Sequence, residues 1–234
     1  MIRIPTERQG QTGMGQGGYG CWLLAQQIDQ PVTTALRSKL PLETELRVDQ
    51  VVDDRWQLVD PTDDDRVLLE AASWAPDCPE TAPVSVDEAE AARRLARIDL
   101  ADHPAPHCVS CGLDEGSLRV HAGPLGDGRW ATPLRLPVTA DGGVDDSLLW
   151  MAVDCACGWY TSGTGDQGGR GVTVQFAVEQ VAPIEPEVDY VLVAWNGDFV
   201  PDWDGRKRGA AAALFTADGS VVARSRSFWL RPAS

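Results

Sequence analysis

Short runs of alternating apolar and polar positions, broken by Gly, Pro and Asp, make up most of this chain, and two longer segments are apolar at almost every position. In residues 172–181, Val174, Phe176 and Val178 alternate imperfectly with Thr173, Gln175 and Glu179, the pattern of a half-buried antiparallel strand. Similar runs at 32–40, 47–59, 67–74, 189–200, 210–215 and 221–229 predict further strands. Thr216-Ala217-Asp218-Gly219 predicts a hairpin turn between the last two, because Asp-Gly tolerates positive φ. Asp53-Asp54 and Asn196-Gly197 fall where a strand can bend or bulge. Residues 19–28 and 146–160 predict helices. The second carries Leu148, Leu149, Trp150, Met151, Ala152 and Val153 in succession, and a helix apolar on nearly every side belongs in a core.

The pattern repeats. Pro41-Leu42-Glu43-Thr44-Glu45-Leu46 returns as Pro183-Ile184-Glu185-Pro186-Glu187-Val188, each copy between two strand-like runs and downstream of one apolar helix. The order helix, strand, turn, strand, turn, strand therefore runs through the chain twice. This divides it into an N-terminal module at 1–75, a linker at 76–112 and a C-terminal module at 113–234. The linker is rich in Pro and Ala and holds a short helix from Val86 to about Arg97, opened by a capping box of Ser85 and Glu88.

Composition narrows the function. A hydrophobic fraction of 43% with nine Trp can fill a real core, so disorder is not the expectation. Acidic residues number 35 against 20 basic ones, a formal net charge of −15. A nucleic acid duplex or an anionic membrane surface would repel such a body. The N-terminus lacks the apolar core of a signal peptide and no run is long enough to span a bilayer, so a soluble, cytoplasmic protein is expected. Six Cys are too sparse for a disulfide scaffold and are expected as thiols.

Few residues carry candidate chemistry. Asp154 lies in the apolar second helix beside Val153 and Cys155. Burial there costs several kcal/mol unless the carboxylate is paired, and raises its pKa, which makes it a candidate general base or nucleophile. A backbone-bonded or solvent-facing Asp is the alternative. Gly13-Met14-Gly15-Gln16-Gly17-Gly18-Tyr19-Gly20 leads into the first helix, where free backbone N–H groups can stabilise an oxyanion; a merely flexible loop is the alternative. It is neither a phosphate-binding Gly-Lys-Ser/Thr loop nor a dinucleotide fingerprint. Arg206-Lys207-Arg208 is the one dense basic cluster, a phosphate contact or a charged sheet edge. Cys108-x-x-Cys111, near His103 and His107, can be read as half a zinc site, a redox pair or packing, and packing is favoured because Cys155 and Cys157 point in different directions on one helix.

The element order, with Gly-Gly before one core helix and an acid inside the other, resembles acyl-CoA thioesterases of the hotdog superfamily, particularly double-hotdog actinobacterial members. That resemblance implies an α+β tandem hotdog, two antiparallel sheets each wrapped around a central helix. It also implies thioester hydrolysis at a composite site between the modules. In residues 144–154, Asp154 falls at the family's catalytic acid, and Asp146 stands where the family has its oxyanion glycine. Aligning Trp22 with Trp150 puts Gly18 at the glycine position of the first half and Gln26 at its acid position. Gln11 then takes the place of a polar partner that orients water or the carbonyl. The same template makes Gly17, Tyr19, Thr173, Gln175, Arg206 and Arg208 candidate substrate-binding residues. It implies no cofactor and no metal. The expected partner is acyl-CoA or a related thioester, held by a monomeric pseudo-dimer or a homodimer. The competing reading is a non-catalytic hotdog protein that binds an acyl or other apolar ligand. A dehydratase or hydratase would need a catalytic His, and none lies near either core helix.

Overall fold

The computed structural model describes residues 2–74, 77–96, 103, 105–163, 171–197 and 207–231. Among these residues, eleven strands form one continuous sheet, with helices packed on it. In chain order the elements are β1 (Ile2–Arg3), α1 (Gly17–Ala25), β2 (Val32–Leu36), β3 (Glu45–Val52), β4 (Arg55–Asp60), β5 (Arg66–Ser73) and α2 (Val86–Leu95). There follow β6 (Gly123–Pro124), β7 (Trp130–Leu134), α3 (Asp146–Gly163), β8 (Val172–Gln180), β9 (Tyr190–Trp195), β10 (Lys207–Thr216) and β11 (Val221–Leu230).

The strand order β1-β3-β4-β5-β2-β8-β11-β10-β9-β7-β6 is a palindrome up to β6. Read outward from the β2–β8 junction, each half runs through its first strand after the helix, then its fourth, third and second, then the strand before the helix. The two sheets thus join edge to edge, through Thr34 opposite Phe176 and Ala35 opposite Gln175. The Thr34 hydroxyl adds a bond to the Phe176 carbonyl at 2.8 Å.

Two sequence expectations need correction. Residues 47–59 are not one strand: Asp53-Asp54 is the turn of the β3–β4 hairpin, so each half has four strands after its helix. Adjacent acidic residues at a polar tip end a strand rather than bend it. The repeated hexapeptide also slips by two residues. Glu43 and Glu187 are the equivalent positions, at φ 56° and 58°, and their N–H groups donate to Ile4 and Leu136 carbonyls, both at 2.9 Å. Ile2 pairs with Leu46 as Leu134 pairs with Tyr190, which fixes that register.

The helix at 146–160 forms as expected and extends to Gly163; every side chain from Ser147 to Cys157 is buried. It packs on α1 and on β8–β11, which accounts for its lack of a polar face. β9 is buried at all six positions because both its faces are covered. Leu192 and Ala194 join the main core, while Val191, Val193 and Trp195 pack with Ala89 and Ala92 of α2 on the outer face. The α2 capping box forms as its sequence predicts, with Ser85 and Glu88 exchanging bonds. The Asp-Gly hairpin forms too, with Gly219 at φ 88°.

Candidate active site

A cavity of about 770 Å³ opens between the loop before α1, the strand-end residues 36–40, the middle of α3 and the start of β8. Asp154 lies in its wall, 3% exposed. Three donors hold its carboxylate. Thr173 Oγ1 donates to Oδ1 at 2.7 Å. Gln16 Nε2 and the Gly18 N–H donate to Oδ2 at 2.8 and 3.1 Å. Burial pushes the carboxyl up to about 6; the bonds from Thr173, Gly18 and Gln16 pull it down, and the Cys108 thiol nearby adds to the rise. Such a group is ionised at neutral pH yet close enough to it to accept a proton.

Local sequence explains how the two helices meet here. Gln16 is the N-cap of α1: its Oε1 accepts from the Tyr19 N–H at 2.7 Å, leaving Nε2 to reach across to Asp154. A Cβ on Gly18 would sit 2.6 Å from the Trp150 carbonyl oxygen and 3.0 Å from the Asp154 Cβ, so only glycine permits this helix crossing. Gly17 lines the cavity, and a Cβ there would stand 3.4 Å from Asp154 Oδ2. As the first residue of α1, Gly17 carries an N–H that the helix itself cannot satisfy.

The structure thus brings Asp154, Gly17, Gly18 and Thr173 together. Gln11 lines the same cavity without contacting Asp154; the amide that does so is Gln16, which the sequence reading passed over. The Gly18 N–H, expected at an oxyanion, instead donates to the carboxylate. Tyr19 is buried away from the cavity, its ring 5.5 Å from that of Trp22 and beneath the Arg8 guanidinium, which is paired with Asp145. Gln175 is spent across the sheet junction on Thr33 Oγ1 at 3.2 Å. Arg208 donates to the Thr161 carbonyl at 2.7 Å near the end of α3, and Arg206 lies outside the described residues. The cations that do line the cavity are Arg37, paired with Glu70, and Lys39, both exposed at its rim. Gln26 and Asp146, expected from the sequence to match Asp154 and Gly18 in the other half, are both exposed. No helix among the described residues is long and apolar enough to cross a membrane.

No protein-family model matches the sequence, and no curated protein does. Solved structures do match the fold. A presumed thioesterase II from Thermobifida fusca YX aligns over 100% of this chain and 93% of its own, at TM-score 0.60 and 17% identity. A conserved hotdog-fold protein of unknown function from Alicyclobacillus acidocaldarius aligns over 99% and 92%, at 0.60 and 15%. A presumed thioesterase from Novosphingobium aromaticivorans DSM 12444 aligns over 99% and 94%, at 0.57 and 15%. The chain has the hotdog fold.

Proposed function

We propose that this chain is a thioester hydrolase, with acyl-CoA or a chemically related thioester as substrate, acting in the cavity between α1 and α3. The observation that carries the reading is a buried carboxylate opening onto a large cavity beside the N-terminus of a helix. In this reading the ionised Asp154 takes a proton from water as the water adds to the thioester carbonyl; when the carbonyl re-forms the C–S bond breaks, and that proton passes to the departing thiolate to leave a carboxylic acid and a free thiol. The Gly17 N–H receives the carbonyl oxygen as its charge develops, while the Gly18 N–H, Gln16 and Thr173 hold the acid in place. A developing oxyanion held by one such donor is typically worth about 10²–10³-fold in rate. The acyl chain lies along the apolar wall, and Lys39 and Arg37 at the rim meet the anionic end of the leaving thiol in place of Arg206 and Arg208.

The test is a panel of acyl thioesters with detection of the released thiol, run with EDTA present. Release is expected with a rate that falls on acidification through about pH 6, where Asp154 takes up its proton. Gln16→Leu removes one of the two donors to Oδ2 and moves that fall to higher pH, because the charged form loses support. A panel with no thiol release would overturn the hydrolase reading.

One observation favours the second reading, a non-catalytic acyl-binding protein: both oxygens of Asp154 already accept hydrogen bonds from protein donors. That reading predicts thermal stabilisation by an acyl thioester with no thiol released.

A further inference from the structure

Three thiols stand in the wall of the same cavity. Cys108 and Cys111 come from the loop that follows α2, and Cys155 comes from α3, next to Asp154. Their sulfur atoms all lie within 4.8 Å of one another, and all three residues are buried. We propose that Cys108, Cys111 and Cys155 form a binding site for a thiophilic divalent cation of the zinc class, with three protein ligands and a fourth position facing the cavity.

The spacing supports a metal over a disulfide. Cys108 Sγ and Cys155 Sγ are 3.9 Å apart. A bonded sulfur pair stands at about 2.05 Å. Two thiolates at about 2.3 Å from a tetrahedral zinc stand roughly 3.8 Å apart. The backbone is shaped to match. The N–H groups of Ser110 and Cys111 turn toward the Cys108 sulfur within hydrogen-bonding reach. Gly112 closes this turn: its N–H donates to the Cys108 carbonyl at 2.7 Å, and a Cβ would lie 2.4 Å from that oxygen. Only glycine fits after the second cysteine. The turn is also anchored from behind, by Ser110 Oγ on the Met151 carbonyl of α3 at 3.1 Å and by His121 Nε2 on the Cys111 carbonyl at 2.8 Å. Such outer contacts fix the ligands of a metal site in position.

The fourth ligand does not come from Asp154, whose carboxylate is outside the sulfur group and held by Gln16, Gly18 and Thr173. It comes from the cavity, as water or a donor atom of the bound molecule, the arrangement of a site with an open position. Gln16 Nε2, 3.7 Å from Cys155 Sγ, supports the thiolate charge. On binding, each thiol that is still protonated releases its proton to solvent. This site stands on the sulfur geometry and does not depend on thioester hydrolysis.

The test is titration of the full, reduced chain with Co²⁺ and then Zn²⁺. Uptake of one Co²⁺ per chain is expected, with strong thiolate-to-cobalt absorption in the near ultraviolet, displacement by Zn²⁺ and a higher melting temperature. Cys155→Ser and Cys108→Ser should each lose most of that absorption, while Cys157→Ser, whose buried sulfur faces Ser225, should keep it. Circular dichroism confirms that each variant is folded. Failure of the folded, reduced wild-type chain to take up either metal would overturn the site. So would uptake undiminished in Cys155→Ser, uptake lost equally in Cys157→Ser, or a Cys108–Cys111 disulfide that re-forms in place of metal binding. Asp154→Asn keeps its metal uptake, so loss of hydrolysis and loss of this site are separate results.

Discussion

Asp154→Asn is expected to lower thioester hydrolysis by about 10²–10⁴-fold, the usual contribution of a general base, while making the fold more stable at pH 8. The two effects share a cause. The wild-type carboxyl holds its proton up to about pH 6 in the folded chain, against an ordinary value of 3.8. The folded state therefore binds more protons between these values than the unfolded one. The stability this contributes is fully present below pH 3.8 and is lost as pH rises through about 6. At pH 8 the buried charge costs on the order of 2–3 kcal/mol. Asparagine carries no such charge and keeps the contacts. Its oxygen accepts from the Gly18 N–H and Gln16, and its amide donates to Thr173 Oγ1, a hydroxyl that can also accept. In EDTA the variant should melt several degrees above wild type at pH 8, with the gap closing toward pH 4. Full turnover in the variant, or a melting temperature below wild type at pH 8, contradicts this account.

Gly18→Ala is expected to cost about 1–3 kcal/mol and most of the activity, through crowding rather than charge. The added methyl meets the Trp150 carbonyl at 2.6 Å, a backbone atom that cannot swing aside, so the helices must separate. Separation draws the Gly18 N–H and the N-cap Gln16 away from Asp154 together. Gly17→Ala makes the control: its methyl meets nothing closer than 3.4 Å, so stability should change little while substrate entry suffers. Chemical denaturation of both variants checks the contrast. Equal stability loss at the two positions would argue against a helix crossing limited by Gly18.

Asp154 was legible in the sequence because a charge inside an unbroken apolar helix has few places to go. The glycine run before α1 was legible for a similar reason, since helix starts leave backbone donors open. Gln16 was not. Its role depends on serving as N-cap and as neighbour to a helix 138 residues later, and no local pattern encodes that second contact. The family resemblance offers Thr173 and Gln175 together, but the bulge between Phe228 and Trp229 separates them: Trp229 faces Thr173 while Phe228 faces Gln175, leaving Val174 as the extra residue. The three-thiol cluster escaped for the same reason as Gln16. In sequence Cys155 and Cys157 read as a pair, whereas the fold sends Cys155 to the Cys108 turn and Cys157 toward Ser225.

The junction of β2 with β8 has a consequence for how such a molecule behaves on dilution. Two residue pairs hold it in register, with Gln175 on Thr33 beside them, and separate halves would each bare a strand edge open to unrelated chains. Because both halves are carried by one polypeptide, their meeting is first order, set by an effective molarity rather than by protein concentration. The pairing therefore survives at any dilution. Each half is also encoded by its own stretch of sequence, so a substitution in one half is not copied into the other, and the two halves are free to drift apart in sequence while their edges stay joined.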